Sequence, residues 1–271
     1  MERLLIAGFG DVARRALPAL ARRYEVTRLS RRYGVDLDRP LAPGTADAVV
    51  HCAPPPASGD GDPRTANLLA ALRGVRRIVY ISTSGVYGDC AGARIDETWP
   101  VNPESGRARR RVHAERLLER WCAPNGVALV ILRAPGIYAA DRLPIERLRA
   151  GTPVLRPEDD VYTNHIHADD LAATAVRALE PDALPGVYNV ADDSDLRMGD
   201  WMDLVAGHAG LPKPPRLPRS RIAEHVSPAV LSFMNESRRL DNRRMKTVLG
   251  VRLRYPTVHE GLAHEHAISI D

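Results

Sequence analysis

The chain has 271 residues, 44% hydrophobic and 27% charged, enough for one large domain or a domain with a modest lobe. That composition excludes intrinsic disorder, a collagen-like repeat and a small disulfide scaffold. A count of 38 Lys+Arg against 34 Asp+Glu gives a net charge of +4, and lysine occurs only at Lys213 and Lys246. So small and dispersed an arginine excess argues against nucleic acid, whose phosphates call for charge gathered on one face or tail.

Cys52, Cys90 and Cys122 form neither a pair motif nor a metal spacing, so free thiols in a reducing compartment are expected. The apolar run after Met1-Glu2-Arg3 ends at Gly8, and no stretch of about 18 apolar residues follows. Neither a signal peptide nor a membrane contact is expected, which points to a soluble, cytoplasmic protein.

In chain order, the patterns predict a strand at 4–7, a helix over 12–24, strands at 26–29 and 48–50, a helix at 67–72 and a strand at 78–81. A helix over 105–122, a strand at 127–132, a helix over 168–179, a strand at 187–190 and a helix over 198–208 continue the rhythm. Continuous apolar strands between helices imply a parallel sheet with crossover helices. The proline-rich stretch 211–218 is a connector, followed by helical stretches around 223–234 and 242–249, the second stopped by Gly250.

Gly8-Phe9-Gly10-Asp11-Val12-Ala13 joins the first strand to the first helix. Glycines there permit a tight turn and close approach of a pyrophosphate, and Ala13 lets the helix pack on the strand. The helix N-terminus adds amide donors and a favourable dipole. Gly8, Phe9, Gly10, Asp11 and Val12 are therefore candidate cofactor contacts. An NAD-binding chain of this type places Asp or Glu about 20 residues on, to hold the ribose 2′-hydroxyl. Here Val26-Thr27-Arg28-Leu29-Ser30-Arg31-Arg32 offers no acid. Ser30, Arg31 and Arg32 would suit a 2′-phosphate, favouring NADP(H) over NAD(H), unless Arg31 and Arg32 are merely a solvated pair.

Several segments carry a wider similarity: Val50-His51-Cys52-Ala53-Pro54, Tyr80-Ile81-Ser82-Thr83-Ser84-Gly85-Val86-Tyr87-Gly88, Leu132-Arg133-Ala134-Pro135-Gly136-Ile137-Tyr138, Asn164-His165-Ile166-His167-Ala168-Asp169-Asp170 and Tyr188-Asn189-Val190. With Asp241-Asn242-Arg243-Arg244-Met245-Lys246 and Tyr255-Pro256, the chain resembles the NAD-dependent epimerase/dehydratase branch of the short-chain dehydrogenase/reductase superfamily over nearly its whole length. The resemblance implies a doubly wound, Rossmann-like α/β domain with a smaller C-terminal substrate lobe. Residues 1–165 would mainly form the NADP-binding domain, 166–208 would complete the sheet and 209–271 would form the lobe.

The same resemblance puts Thr83 at the hydroxyl of the catalytic triad, and Cys52, Ala53, Pro54 and Pro135 at the cofactor edge. It implies a Tyr-x-x-x-Lys pair on the helix that ends Ala114-Glu115-Arg116-Leu117-Leu118; counting back, Arg107 and Arg111 stand in those places. The glycine motif is one residue shorter than the usual Gly-x-x-Gly-x-x-Gly, which marks an atypical member. A homodimer paired through helices flanking the sheet fits the family.

Arginine stays protonated and cannot replace tyrosine as general acid. Positions 107, 111, 114, 118 and 121 share one helix face, and Ala114, Leu118 and Trp121 make it core-directed, so Arg107 and Arg111 should point to the cleft. In one reading they bind an anionic substrate or polarise a carbonyl while Thr83, Tyr87 or a water handles the proton. The protein is then an NADP(H)-dependent oxidoreductase or epimerase-like enzyme of a small carbonyl or sugar-like substrate. In another it binds NADP(H) with little or no catalysis, as a sensor or scaffold. In a third, the cluster 107–111 is a solvated helix start, although cations there oppose the dipole by about 0.3–1 kcal/mol each and call for a negative neighbour. Tyr138 is a further phenol near the cleft. No metal site is expected at His165-x-His167, whose imidazoles are read as diverging, with Asp169 as a helix cap; His264-Glu265-His266 is read as exposed tail.

Overall fold

A computed structural model describes residues 1–268, with side chains as far as His264. Six strands form the central sheet: β1 (Glu2–Ala7), β2 (Tyr24–Leu29), β3 (Ala48–His51), β4 (Arg77–Thr83), β5 (Ala128–Ala134) and β6 (Gly186–Asn189). Their order is β6-β5-β4-β3-β1-β2 and every pairing is parallel. Parallel neighbours need crossovers, and helices supply most of them: α1 (Asp11–Leu20), α2 (Pro63–Ala71), α3 (Gly106–Cys122) and α4 (Ala168–Arg177).

Alternation along each strand divides the core between two faces. Leu4, Ile6, Val79 and Leu132 pack with Ala16 and Leu20 of α1 and Leu171 of α4. Leu5, Val49, Ile78 and Ile131 pack with Leu68 of α2 and Ala114 and Leu118 of α3. Each such aliphatic side chain contributes about 1.5–3 kcal/mol when fully buried. The sheet is thus doubly wound, as the apolar runs imply.

From β1 the chain moves to β2 on one side and then returns to β3 on the other. Strand order reverses there, which leaves a crevice beyond the carboxyl ends of β1 and β3, where ligands bind in open parallel sheets.

The smaller lobe draws on the middle of the chain as well as its end. Val154–Leu155 pairs with Arg216–Leu217, Tyr162–Thr163 with Leu196–Arg197, and Arg94–Ile95 with Arg239–Leu240. Its core gathers Tyr138, Leu148 and Val154 around Trp201, Met202 and Val205 of α5 (Met198–His208). The helical stretch predicted at 223–234 is divided into Arg219–Ile222 and α6 (Pro228–Met234). Ser227 starts α6 afresh: its Oγ accepts from the Val230 amide, and Pro228 takes the first helical position.

His264 is packed, its ring 5.1 Å from that of Tyr255, while the side chains of Glu265 and His266 lie outside the described residues. Among the described residues no helix is long and apolar enough to cross a membrane. The three cysteines are free thiols.

Candidate active site

The turn after β1 is shaped by contact with the backbone after β3. Gly8 has φ +84°, and a Cβ there would lie 2.4 Å from the Ala53 nitrogen. The Cys52 and Ala53 amides both donate to the Ala7 carbonyl, at 2.7 and 2.9 Å, which draws the two turns together. Only glycine meets both demands, of sign and of space. Gly10 begins α1 with no side-chain cap, and a Cβ placed on it would meet nothing within 4 Å. No side chain caps the first α1 amides, which leaves them available to an anion.

Asp11 is no unpaired anion in that crevice. Its carboxylate accepts from Arg15 at 3.0 Å and from Arg142 at 3.2 Å, and Arg15 reaches Asp169 at 2.7 Å. Phe9 meets the edge of Tyr33, and the Arg28 guanidinium lies over both rings at 5.4 and 4.6 Å.

Beyond β2, the Ser30 Oγ is buried without a hydrogen-bond partner. Arg31 donates to Asp36 at 3.2 Å and Asp38 at 2.6 Å, and Arg64 donates to the same Asp38 carboxylate at 2.6 and 2.9 Å. Arg64 above all holds the Asp38 carboxyl below its ordinary range. The corner read as free of acid is therefore supplied with two carboxylates from further along the chain. Arg31 is paired, while Arg32 is exposed.

Thr83 ends β4, its Oγ1 accepting from the Gly85 amide at 3.2 Å. Arg111 donates to the Ile81 carbonyl at 2.8 Å and the Tyr80 hydroxyl at 3.0 Å, which fixes the guanidinium beside the strand end. Arg107, one turn earlier, sets its guanidinium 4.4 Å over the Phe233 ring of α6.

Three spaces meet here. A channel of about 190 Å³ is lined by Val12, Cys52, Thr83, Arg111 and Pro135. A second space of about 410 Å³ lies among Pro54, Ala57, Thr83, Arg107, Arg110 and Arg111. The third, a cavity of about 670 Å³ between sheet and lobe, is lined by Thr83, Arg107 and Pro135 together with lobe residues. Thr83 borders all three, so the structure brings Thr83, Arg107, Arg111, Cys52, Pro54 and Pro135 to one place. Ala53 is buried behind them, against Gly8.

The negative neighbours of the arginine cluster prove to be largely carbonyl oxygens. Arg110 donates to Ala57 and Gly59, each at 2.9 Å, and Arg109 to Glu104 at 2.7 Å. This ties the start of α3 to the loop after β3.

Tyr87 requires correction as a proton donor. It is fully buried, donates to the Asn189 side chain at 2.8 Å, lies under the Arg133 guanidinium at 4.8 Å and lines none of the three spaces. Its side chain packs into the core, as an apolar ring with one satisfied hydroxyl does. Tyr138 does line the large cavity, with its hydroxyl 3.4 Å from the Thr257 carbonyl.

The reading of His165 and His167 also fails in detail. Residues two apart in a strand share a face, and both imidazoles lie beside Tyr138, with centroids 6.3 and 5.2 Å from its ring. His167, not Asp169, caps α4, its Nδ1 accepting from the Asp169 amide at 3.2 Å.

Several groups went unread in the sequence. Glu115 is buried with Arg133 at 2.7 Å and accepts from Ser82, directly behind Thr83. A charged residue within the apolar run of β5 was the available signal, because a buried charge needs a partner. In the cavity wall, Arg147, Glu236 and Arg238 sit in segments with no motif, and His165, weighed only as a metal ligand, joins them.

The site has the requirements of a dinucleotide: a backbone cradle at Gly8 and Gly10, uncapped helix amides and an orphaned hydroxyl at Ser30. Comparison with known proteins agrees. Residues 11–191 match the family model described as "NAD dependent epimerase/dehydratase family". A Streptomyces sp. protein named "3-diazoavenalumate denitrifying reductase" is 30% identical over 212 residues, covering 74% of this chain and 69% of that one. A solved structure titled as a functionally unknown conserved protein from Silicibacter pomeroyi DSS is 31% identical, covers 99% of both chains and superposes with a TM-score of 0.81. The UDP-glucose 4-epimerase of Thermus thermophilus, solved with NAD, shares the fold at 23% identity and a TM-score of 0.73, over 98% of this chain and 99% of its own. This chain belongs to the NAD-dependent epimerase/dehydratase family.

Proposed function

We propose that the protein is an NADP(H)-dependent oxidoreductase that reduces a small, anionic carbonyl-type acceptor. The observation carrying this is the meeting of Thr83, Arg107 and Arg111 where the cofactor crevice opens into the 670 Å³ cavity. Gly8, Phe9, Gly10 and the first α1 amides would hold the pyrophosphate, and Ser30, Arg31 and Arg32 the 2′-phosphate. Support for NADP(H) is the partnerless Ser30 Oγ and the absence of a carboxylate on Leu29-Ser30 themselves. The dinucleotide, when bound, supplies the hydride.

The chain's own residues supply orientation and charge. Since the Thr83 oxygen already accepts from the Gly85 amide, its proton is available for donation to a substrate oxygen. Arg111 stands in the implied place of lysine, its guanidinium fixed beside the strand end by the Ile81 carbonyl and the Tyr80 hydroxyl. Arg107, at the cavity rim, stabilises negative charge that develops on the acceptor. Neither guanidinium can give up a proton, so the proton comes from water through the cavity, with Thr83 at most relaying it. The Streptomyces relative, named a reductase, supports reduction over epimerisation.

The test is NADPH consumption across a panel of carboxylated aldehydes and ketones. Turnover is expected, with Thr83→Val lowering kcat by about 100-fold or more. Tight NADPH binding without consumption on any member would favour the non-catalytic sensor or scaffold instead.

A further inference from the structure

The cavity between sheet and lobe holds several arginines, and two of them are paired with an acid. Arg142 meets Asp11 at 3.2 Å, Arg238 meets Glu236 at 2.9 Å, and Arg107 is stacked over the Phe233 ring at 4.4 Å. Arg147, on the short helix Ile145–Arg149, differs. Its Nε and Nη2 are buried without a hydrogen-bond partner, and among the described residues it has no ion pair. Desolvation alone acts on it, pulling its pKa below the ordinary arginine value.

An unpaired, desolvated guanidinium is expensive to keep and carries a fork of donors that matches a carboxylate in geometry. In the same lining, the neutral His165, whose imidazole burial drives down to about 3, has an unpartnered Nδ1. The same cavity is lined by four aromatic rings, Tyr138, Tyr162, Trp201 and Phe233, together with Met198 and Met202. Aromatic faces beside a cation with no partner of its own suit a flat, apolar anion.

We infer that the cavity takes an aromatic or conjugated monocarboxylate, with its carboxylate on Arg147 and its reducible group towards Thr83 and Arg107. This rests on the oxidoreductase reading for the direction of the reducible end, though not for the anchor itself.

The test uses the full chain saturated with NADP⁺, with calorimetric titration of trans-cinnamate, its methyl ester, UDP-glucose and inorganic phosphate. Cinnamate is expected to bind and the ester to bind at least about tenfold more weakly, since a charged hydrogen bond is lost. Arg147→Met should remove that difference while leaving the NADP⁺ affinity unchanged. Without ligand, Arg147→Met should melt at or above the wild-type temperature, because an uncompensated buried charge is gone. Equal affinity for acid and ester, a preference for UDP-glucose or phosphate, or a lower melting temperature of ligand-free Arg147→Met would each overturn the inference. Failure to bind NADP⁺ at all would instead sink the oxidoreductase reading, and cinnamate binding to the cofactor-free protein would still test the anchor.

Discussion

The crevice at β1 and β3 and the cavity under the lobe are built on different principles. Backbone makes the crevice: a positive φ at Gly8, a 2.4 Å gap that admits no Cβ, and helix amides with nothing to cap them. Side chains make the cavity: arginines, aromatic rings and a neutral histidine from distant segments. Backbone geometry tolerates almost no substitution at its key positions, whereas a wall of side chains can be exchanged to suit another ligand. Such a division lets one fold keep a backbone cradle while the side chains around it change.

The sharpest way to break the contrast is at Gly8. Gly8→Val forces a side chain into the Ala53 backbone at a positive φ, so NADPH affinity should fall by more than about 100-fold in calorimetry, with the sheet otherwise folded. Affinity within about threefold of wild type would mean that the turn does not grip the diphosphate.

Beneath the junction of the two regions lies the Glu115–Arg133 pair, each partner under a tenth exposed. Glu115→Ala strands a buried guanidinium and should lower unfolding free energy by about 3–5 kcal/mol in urea titrations, whereas replacing both partners by leucine should come out near neutral. A single substitution that is silent would remove the pair from the framework that holds Thr83.

A smaller effect is expected at Asp192, whose backbone amide donates to the His165 carbonyl at 2.8 Å. Burial raises its carboxyl from 3.8 to about 7, and its Oδ2 has no partner. A raised pKa means that the native state binds the proton more tightly than the unfolded chain. The stability it confers is full below about 4 and is lost as pH rises through about 7. Asp192→Asn should therefore gain on wild type in melting temperature between pH 4 and pH 7 and hold that gain above; a pH-independent difference would contradict it.

Legibility in the sequence divided along the same line. The parallel sheet was readable because strands buried on both faces are continuous apolar runs, as at Leu4-Leu5-Ile6-Ala7. Gly8 and Gly10 were readable because backbone demands leave glycine at fixed spacing. Arg107 and Arg111 were readable because helical periodicity places them above Ala114 and Leu118. Asp36 and Asp38 were missed because the crossover after β2 has no long helix, only the turn Arg31–Tyr33 and a loop, and loops carry no period from which a contact can be inferred. Arg147 and His165 were missed as cavity residues because tertiary packing alone, not local pattern, brings them beside Trp201. Tyr87 was misplaced since a phenol after a strand looks the same in sequence whether it faces ligand or core.

Cofactor choice is the claim on which the functional proposal turns, and calorimetric titration of the purified chain with NADPH and NADH addresses it most directly. NADPH is expected to bind about 10–100-fold more tightly, with Arg31→Asp abolishing the difference by removing a cation for the 2′-phosphate and freeing the Asp36 carboxylate. Equal affinities, or no heat with either nucleotide, would contradict it.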